Sequence, residues 1–224
     1  MPYRKIPLVP GEVYHVFNRS IAKQPIFLSQ KDYQRALEVI SFYRYPKPPL
    51  KFSKYKQLPA AQRAVFLENL ARSYKPFLEI IAFCIMPNHV HFLLKALEEK
   101  SISNFMTNFQ HSCSKYFNTK NERTGSLFQS MFKAVRIEND EQLLHVSRYI
   151  HLNPVSAFII RIGDLDNYPW SSFRSYLNEG NVQSFVNTQV ILNYFKSIQD
   201  YRKFVYDQAG YQQKLNIIKH LTLE

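Results

Sequence analysis

The first regular pattern along the chain is an alternation. EVYHVFNRS (residues 12–20) alternates and is rich in β-formers, the pattern of a half-buried strand. After Ser29, which suits an N-cap, the period lengthens. Tyr33, Leu37, Ile40 and Tyr43 recur at helical spacing and predict a helix over 29–45. Residues 46–76 interrupt this order, because PKPPLKFSKYKQLP mixes prolines with lysines before a short helical stretch, AAQRAVFLENLARSY. The segment reads as an insertion. FLEIIAFCIMP (77–87) and HVHFLLKAL (89–97) are apolar strands joined at Pro87-Asn88, a turn pair that predicts a hairpin. A helix follows over 101–121, with Ile102, Phe105, Phe109 and Cys113 on one stripe, then a strand over 132–139. The last of this series is a helix over 140–155, with Asp140 as its cap and acidic residues where the helix dipole favours them.

Strand, helix, strand, strand, helix, strand is the order of an α+β, ferredoxin-like (βαββαβ) fold, an antiparallel sheet with its helices on one face. The expected division is a domain over 1–177, with the insertion at about 46–76, and a C-terminal helical extension over 178–224. That extension contains TQVILNYFKSIQDYRKFVYDQ and packs on the core. Such a fold hosts many unrelated activities and implies none by itself.

An apolar fraction of 46% over 224 residues is that of a globular protein and argues against disorder. No apolar run has the length of a membrane span, and the N-terminal stretch lacks the unbroken apolar core of a signal peptide, so a cytoplasmic protein with no membrane partner is expected. Cys84 and Cys113 lie in apolar contexts without metal-type spacing and read as buried free thiols. Charge changes the picture more. Lys+Arg 29 against Asp+Glu 17 leaves +12, alongside an aromatic content of 15%. Cations for phosphates and flat rings for unpaired bases point to single-stranded nucleic acid as partner.

Within CIMPNHVHFLLK (84–95), His89 and His91 stand two apart in a strand and share a face, opposite Val90 and Phe92. Two adjacent imidazoles are costly to bury unless something uses them, and a metal is the economical user. On the helix over 140–155, His145, Tyr149 and Asn153 fall four apart, on one face.

The segments YHVFNRS, MPNHVHFLLK, GSLFQSMFKAVRI, RYIHLNPV and YPWSSFRSY occur in the order and spacing of the REP-associated tyrosine transposases. The resemblance covers roughly residues 11–177 and extends to the single-strand insertion-sequence transposases of the HUH class. It implies a tyrosine nucleophile that nicks single-stranded or hairpin, REP-like DNA with a divalent metal, Mg²⁺ or Mn²⁺, through a covalent phosphotyrosine. The motif histidines fall on His89 and His91 as metal ligands, the tyrosine on Tyr149 as nucleophile, and the amide ligand on Asn153. Met131 stands where many relatives carry an arginine. Candidate DNA contacts are Arg19, Lys133, Arg136 and Arg148. His145 is a candidate accessory group that orients Tyr149 or shuttles its proton, and His15 reads as structural. A catalytically inactive binder of single strands or hairpins on the same fold is the alternative, and a monomer and a homodimer are both compatible with these motifs.

Overall fold

Four strands pair antiparallel in the order β2–β3–β1–β4, where β1 is Val13–Arg19, β2 Leu78–Met86, β3 His89–Ala96 and β4 Lys133–Arg136. This is the sheet of a ferredoxin-like split βαβ fold. The computed structural model describes residues 7–178 and 183–213. The outermost parts of the expected 1–177 and 178–224 divisions, and the start of the extension, lie outside the described residues.

Helices α1 (Gln30–Tyr43) and α4 (Ser101–Lys120) pack together on one face of the sheet. Asp32 ties down the start of α1 by accepting from the backbone N–H groups of Leu28 and Ser29, each at 2.9 Å. The α4 stripe of Ile102, Phe105, Phe109 and Cys113 is buried against Val90, Phe92 and Leu94 of β3. The insertion forms α2 (Phe52–Tyr55) and α3 (Ala60–Ser73), and Phe52 and Tyr55 are buried in the same core.

The opposite face is covered as well, by α5 (Asp140–Ser156), α6 (Phe173–Leu177), α7 (Gln189–Leu192) and α8 (Ile198–Tyr206). Burial on both sides explains why β2 reads as a continuous apolar run rather than an alternation. An irregularity in the β2–β3 register between Ile80 and Ala82 turns both Ile81 and Ala82 to the α5 face. From there Cys84 and Met86 face α5, while Phe83 and Ile85 face α1 and α4.

Two boundaries differ from expectation. β4 is shorter than 132–139 because its partner runs out: the Ile137 N–H donates to the Val13 carbonyl at 2.9 Å, where β1 begins. The cap of α5 is Asn139, not Asp140. Asn139 has extended backbone angles and its side-chain oxygen accepts from the Gln142 N–H at 2.8 Å, leaving Asp140 and Glu141 in the first turn.

Helix α5 is fastened by a buried polar chain. His151, 0% exposed, engages the Tyr201 hydroxyl through Nδ1 and Ser172 Oγ through Nε2, each at 2.8 Å. Ser172 Oγ in turn accepts from the Phe83 N–H at 2.9 Å. One imidazole thus links α8, α5, the segment before α6 and β2. Burial pushes its pKa down from 6.5 to about 3, so the folded protein holds it neutral. The unfolded chain takes up this proton below pH 6.5, so the stabilisation is complete above that pH and is lost as pH falls toward 3. At pH 5 the loss from this one residue is about 2 kcal/mol. The urea midpoint should therefore fall between pH 7 and pH 5, and His151→Phe should flatten that slope. An unchanged slope in the variant would contradict the assignment.

Candidate active site

Strand β3 turns His89 and His91 toward α5, and register supplies their neighbours. His91 pairs with Phe17 and Cys84, and His89 pairs with Arg19 and Met86. The two rings lie 5.1 Å apart between centroids. His91 is 5% exposed, whereas His89 sits at the rim.

Hydrogen bonds orient both imidazoles. The Asn88 amide nitrogen donates to the Lys23 carbonyl at 2.8 Å, which fixes its oxygen toward His89 Nδ1, 2.6 Å away. An amide oxygen only accepts, so His89 carries its proton on Nδ1 and its lone pair on Nε2. His91 Nδ1 lies 2.9 Å from Nε2 of His15, the two rings edge to edge and nearly parallel with centroids 5.2 Å apart. With His91 as donor there, its Nε2 carries the lone pair. Burial is the largest cause holding all three imidazoles neutral. The pKa values of His15 and His89 are each pushed down to about 4 and that of His91 falls well below 6.5, neighbouring cations adding to the effect on the pair. Neutral imidazole is the ligand form.

Helix α5 brings Tyr149 over this group. Its ring makes edge contacts with His91 at 5.5 Å and His15 at 5.8 Å. Asn153, one turn on, donates through Nδ2 to the Tyr149 carbonyl at 2.8 Å, and its side chain also hydrogen-bonds His89 and Tyr149. Burial raises the Tyr149 pKa above 10, while Arg19 and Asn153 pull against that shift. Between these elements opens a cleft of about 250 Å³, lined by Asn18, Arg19, His89, His91, Lys133 and Tyr149 among others. No carboxylate lines it, so the cleft favours an anion. Among the described residues, no group of three or more His, Cys, Asp or Glu could hold a metal. A cation here would be held by two imidazole nitrogens and the Asn153 amide oxygen.

Tyr149, His89, His91 and Asn153 thus meet on one side of the sheet, and Arg19 and Lys133 join them. The other candidates are engaged elsewhere. Arg148 is 9% exposed and stacks on Phe204 at 4.2 Å, so it is a packing residue rather than an open DNA contact. His145 bonds Arg148 Nη2 at 2.8 Å and lies edge-on to Phe204, so it serves that packing rather than Tyr149. Arg136 is exposed but paired with both Glu12 carboxylate oxygens, at 2.6 and 3.0 Å. His15, read from the sequence as structural, belongs to the imidazole group. Gln129, Asn18 and Phe17 also line the cleft without having been singled out. Period two along β1 places His15, Phe17 and Arg19 on one face; the missing information was which strand they pair with.

Residues 61–153 match the family described as IS200-like transposase. No curated protein matches the chain. Among solved structures, the chain aligns with a REP-associated tyrosine transposase bound to a REP hairpin at 16% identity, covering 83% of this chain and 94% of that one, with a TM-score of 0.49. It also aligns with a Deinococcus radiodurans chain assigned as a transposase at 13% identity, covering 66% of this chain and 95% of that one, with a TM-score of 0.35.

The hydrogen bonds of the site make a spectroscopic expectation. At pH 5.5, nitrogen–proton correlation spectra should show His15, His89 and His91 all neutral, with His89 protonated on Nδ1. An imidazolium signal from any of the three at that pH would contradict the arrangement described.

Proposed function

We propose that this protein, whose residues 61–153 match the IS200-like transposase family, nicks and rejoins single-stranded or hairpin DNA. Tyr149 is the nucleophile, and a divalent cation is held by His89, His91 and Asn153. The observation that carries the reading is the convergence of Tyr149, His89 and His91 in one carboxylate-free cleft with Arg19 and Lys133, with Asn153 hydrogen-bonded to His89 and Tyr149 beside it.

The donor set fits a cation. Nδ1 of each imidazole is occupied by a neighbour, which leaves Nε2 for a metal, and Asn153 contributes a neutral oxygen beside His89. Mixed nitrogen and oxygen ligands suit Mn²⁺, and Mg²⁺ is the other candidate. When bound, the cation supplies positive charge to a non-bridging phosphoryl oxygen. The protein's own groups do the rest. Arg19 and Lys133 hold the phosphate at the cleft mouth, and Arg19 also favours the phenolate form of Tyr149. Tyr149 Oη forms a bond to phosphorus, and the bond from phosphorus to the 3′-oxygen of the preceding nucleotide breaks. The phenol proton passes to solvent, and the leaving oxygen takes up a proton from solvent as a 3′-hydroxyl. Attack by another 3′-hydroxyl on the phosphotyrosine reverses these bond changes, joins the strands and frees the tyrosine. No carboxylate base lines the cleft, so the phenol depends on nearby positive charge for activation.

The decisive experiment incubates the protein with labelled hairpin DNA and Mn²⁺ and resolves the products on a denaturing gel. A covalent protein–DNA adduct should form with the wild type and vanish with Tyr149→Phe. Binding without any adduct would instead favour an inert binder on the same fold.

Replacing His89→Ala and His91→Ala together should abolish both the adduct and Mn²⁺ binding by calorimetry. Most of the DNA affinity should survive, because phosphate contacts elsewhere dominate it. Adduct formation at the wild-type rate in this variant would remove the metal from the mechanism.

A further inference from the structure

Away from the cleft, on the side of α1 and α4, the insertion builds a second concavity. A groove of about 700 Å³ runs between α1, α4 and residues 48–53, and no Asp or Glu lines it. Its cations are Arg35, Lys51 and Lys115, none of which forms an ion pair among the described residues. The nearby acids are already neutralised, Glu38 by Lys56 and Arg63 and Asp32 by Lys120, so the groove keeps its positive charge.

Arg35 is held in an unusual way for an arginine. Its guanidinium lies 4.4 Å from the Tyr116 ring centroid and 5.1 Å from that of Phe52, and its buried Nε has no hydrogen-bond partner. The side chain is thereby fixed by rings from α4 and the insertion, without a carboxylate to consume its charge. Tyr43 and Tyr116 line the same groove half-buried. A second hollow of about 470 Å³ shares Arg35 and Tyr116 and continues the path to Lys31 and Trp170.

We infer that this groove is a second nucleic-acid site that binds an unpaired strand, with phosphates on Arg35, Lys51 and Lys115 and bases against Tyr43 and Tyr116. Cations without counter-ions interleaved with aromatic edges are the chemistry of single-strand recognition. A groove of this volume holds a few nucleotides and not a duplex. An acidic peptide would use the cations but leave the rings idle. The inference rests on nucleic acid as the partner, and not on the chemistry of Tyr149.

The test uses the full chain carrying Tyr149→Phe, so that only non-covalent binding is read, and a fluorescent oligothymidylate as probe in an anisotropy titration. Lys51→Glu with Lys115→Glu should weaken binding about tenfold or more and reduce the slope of log K against log salt by about 1.4, the share of two phosphate contacts. A control with Lys196→Glu and Lys203→Glu carries the same charge change around α8, on the other side of the sheet, and should change the affinity far less. Tyr116→Ala should cost about fivefold or more with an unaltered salt slope, as expected for lost stacking. Wild-type affinity in the Lys51/Lys115 variant, an equal loss in the control, or tighter binding of an oligoglutamate than of oligothymidylate at this groove would each overturn the inference. Adduct formation by the otherwise native Lys51/Lys115 variant on a short strand spanning only the scissile phosphate should match that of the wild type. A wild-type protein that forms no adduct yet shows the anisotropy pattern would reject the catalytic reading and leave the groove standing.

Discussion

The placement of α5 depends on one buried imidazole. His151 spends both ring nitrogens on partners from different parts of the chain, Tyr201 on α8 and Ser172 ahead of α6, and Ser172 closes onto the backbone of β2. Each of these groups would be costly to bury unpaired, so the chain is held together by a shared need for satisfaction as well as by apolar contact. Tyr149 and Asn153 stand two residues to either side of His151 on the same helix. Fixing the helix about His151 therefore fixes how far both can travel relative to β3.

The same logic operates in the cleft with a different result. Asn88 and His15 occupy Nδ1 of His89 and His91 and orient the rings, and Nε2 of each ring keeps its lone pair. Burial keeps these rings uncharged, and Arg19 beside them disfavours protonation further. What results is an uncharged donor set beside two cations, suited to gathering a phosphate. The buried thiol of Cys84 stays protonated on the same sheet face, because desolvation raises its pKa, and so it adds no negative charge there.

Charge is divided between the two faces of the sheet. The α5 side carries Arg19 and Lys133 at the cleft, while the α1 and α4 side carries the groove shaped by residues 48–53. The surplus of +12 is accordingly not a uniform coat. The acids nearest the two concave places are spent in pairs, Glu12 with Arg136, Glu38 with Lys56 and Arg63, and Asp32 with Lys120, which leaves the cations of those places for an outside anion.

Several features were legible in the residues alone. Period two identified β1, and the Pro87-Asn88 turn with its apolar flanks identified the hairpin. Alternation placed His89 and His91 on one face, and spacing of four put Tyr149 and Asn153 on one side of a helix, since these are consequences of local backbone geometry. Local geometry does not say which faces meet. The covering of both sheet faces, the cap at Asn139 instead of Asp140, the register irregularity at Ile81 and the pairing of Phe17 with His91 all depend on contacts between segments distant in sequence. For that reason His15 looked structural and Arg148 looked exposed: one was brought beside His91 by strand pairing, the other was buried against Phe204 by α8. Residue type and local period determined what each segment offers; only tertiary packing, which must satisfy every buried polar group at once, decided which offers are used.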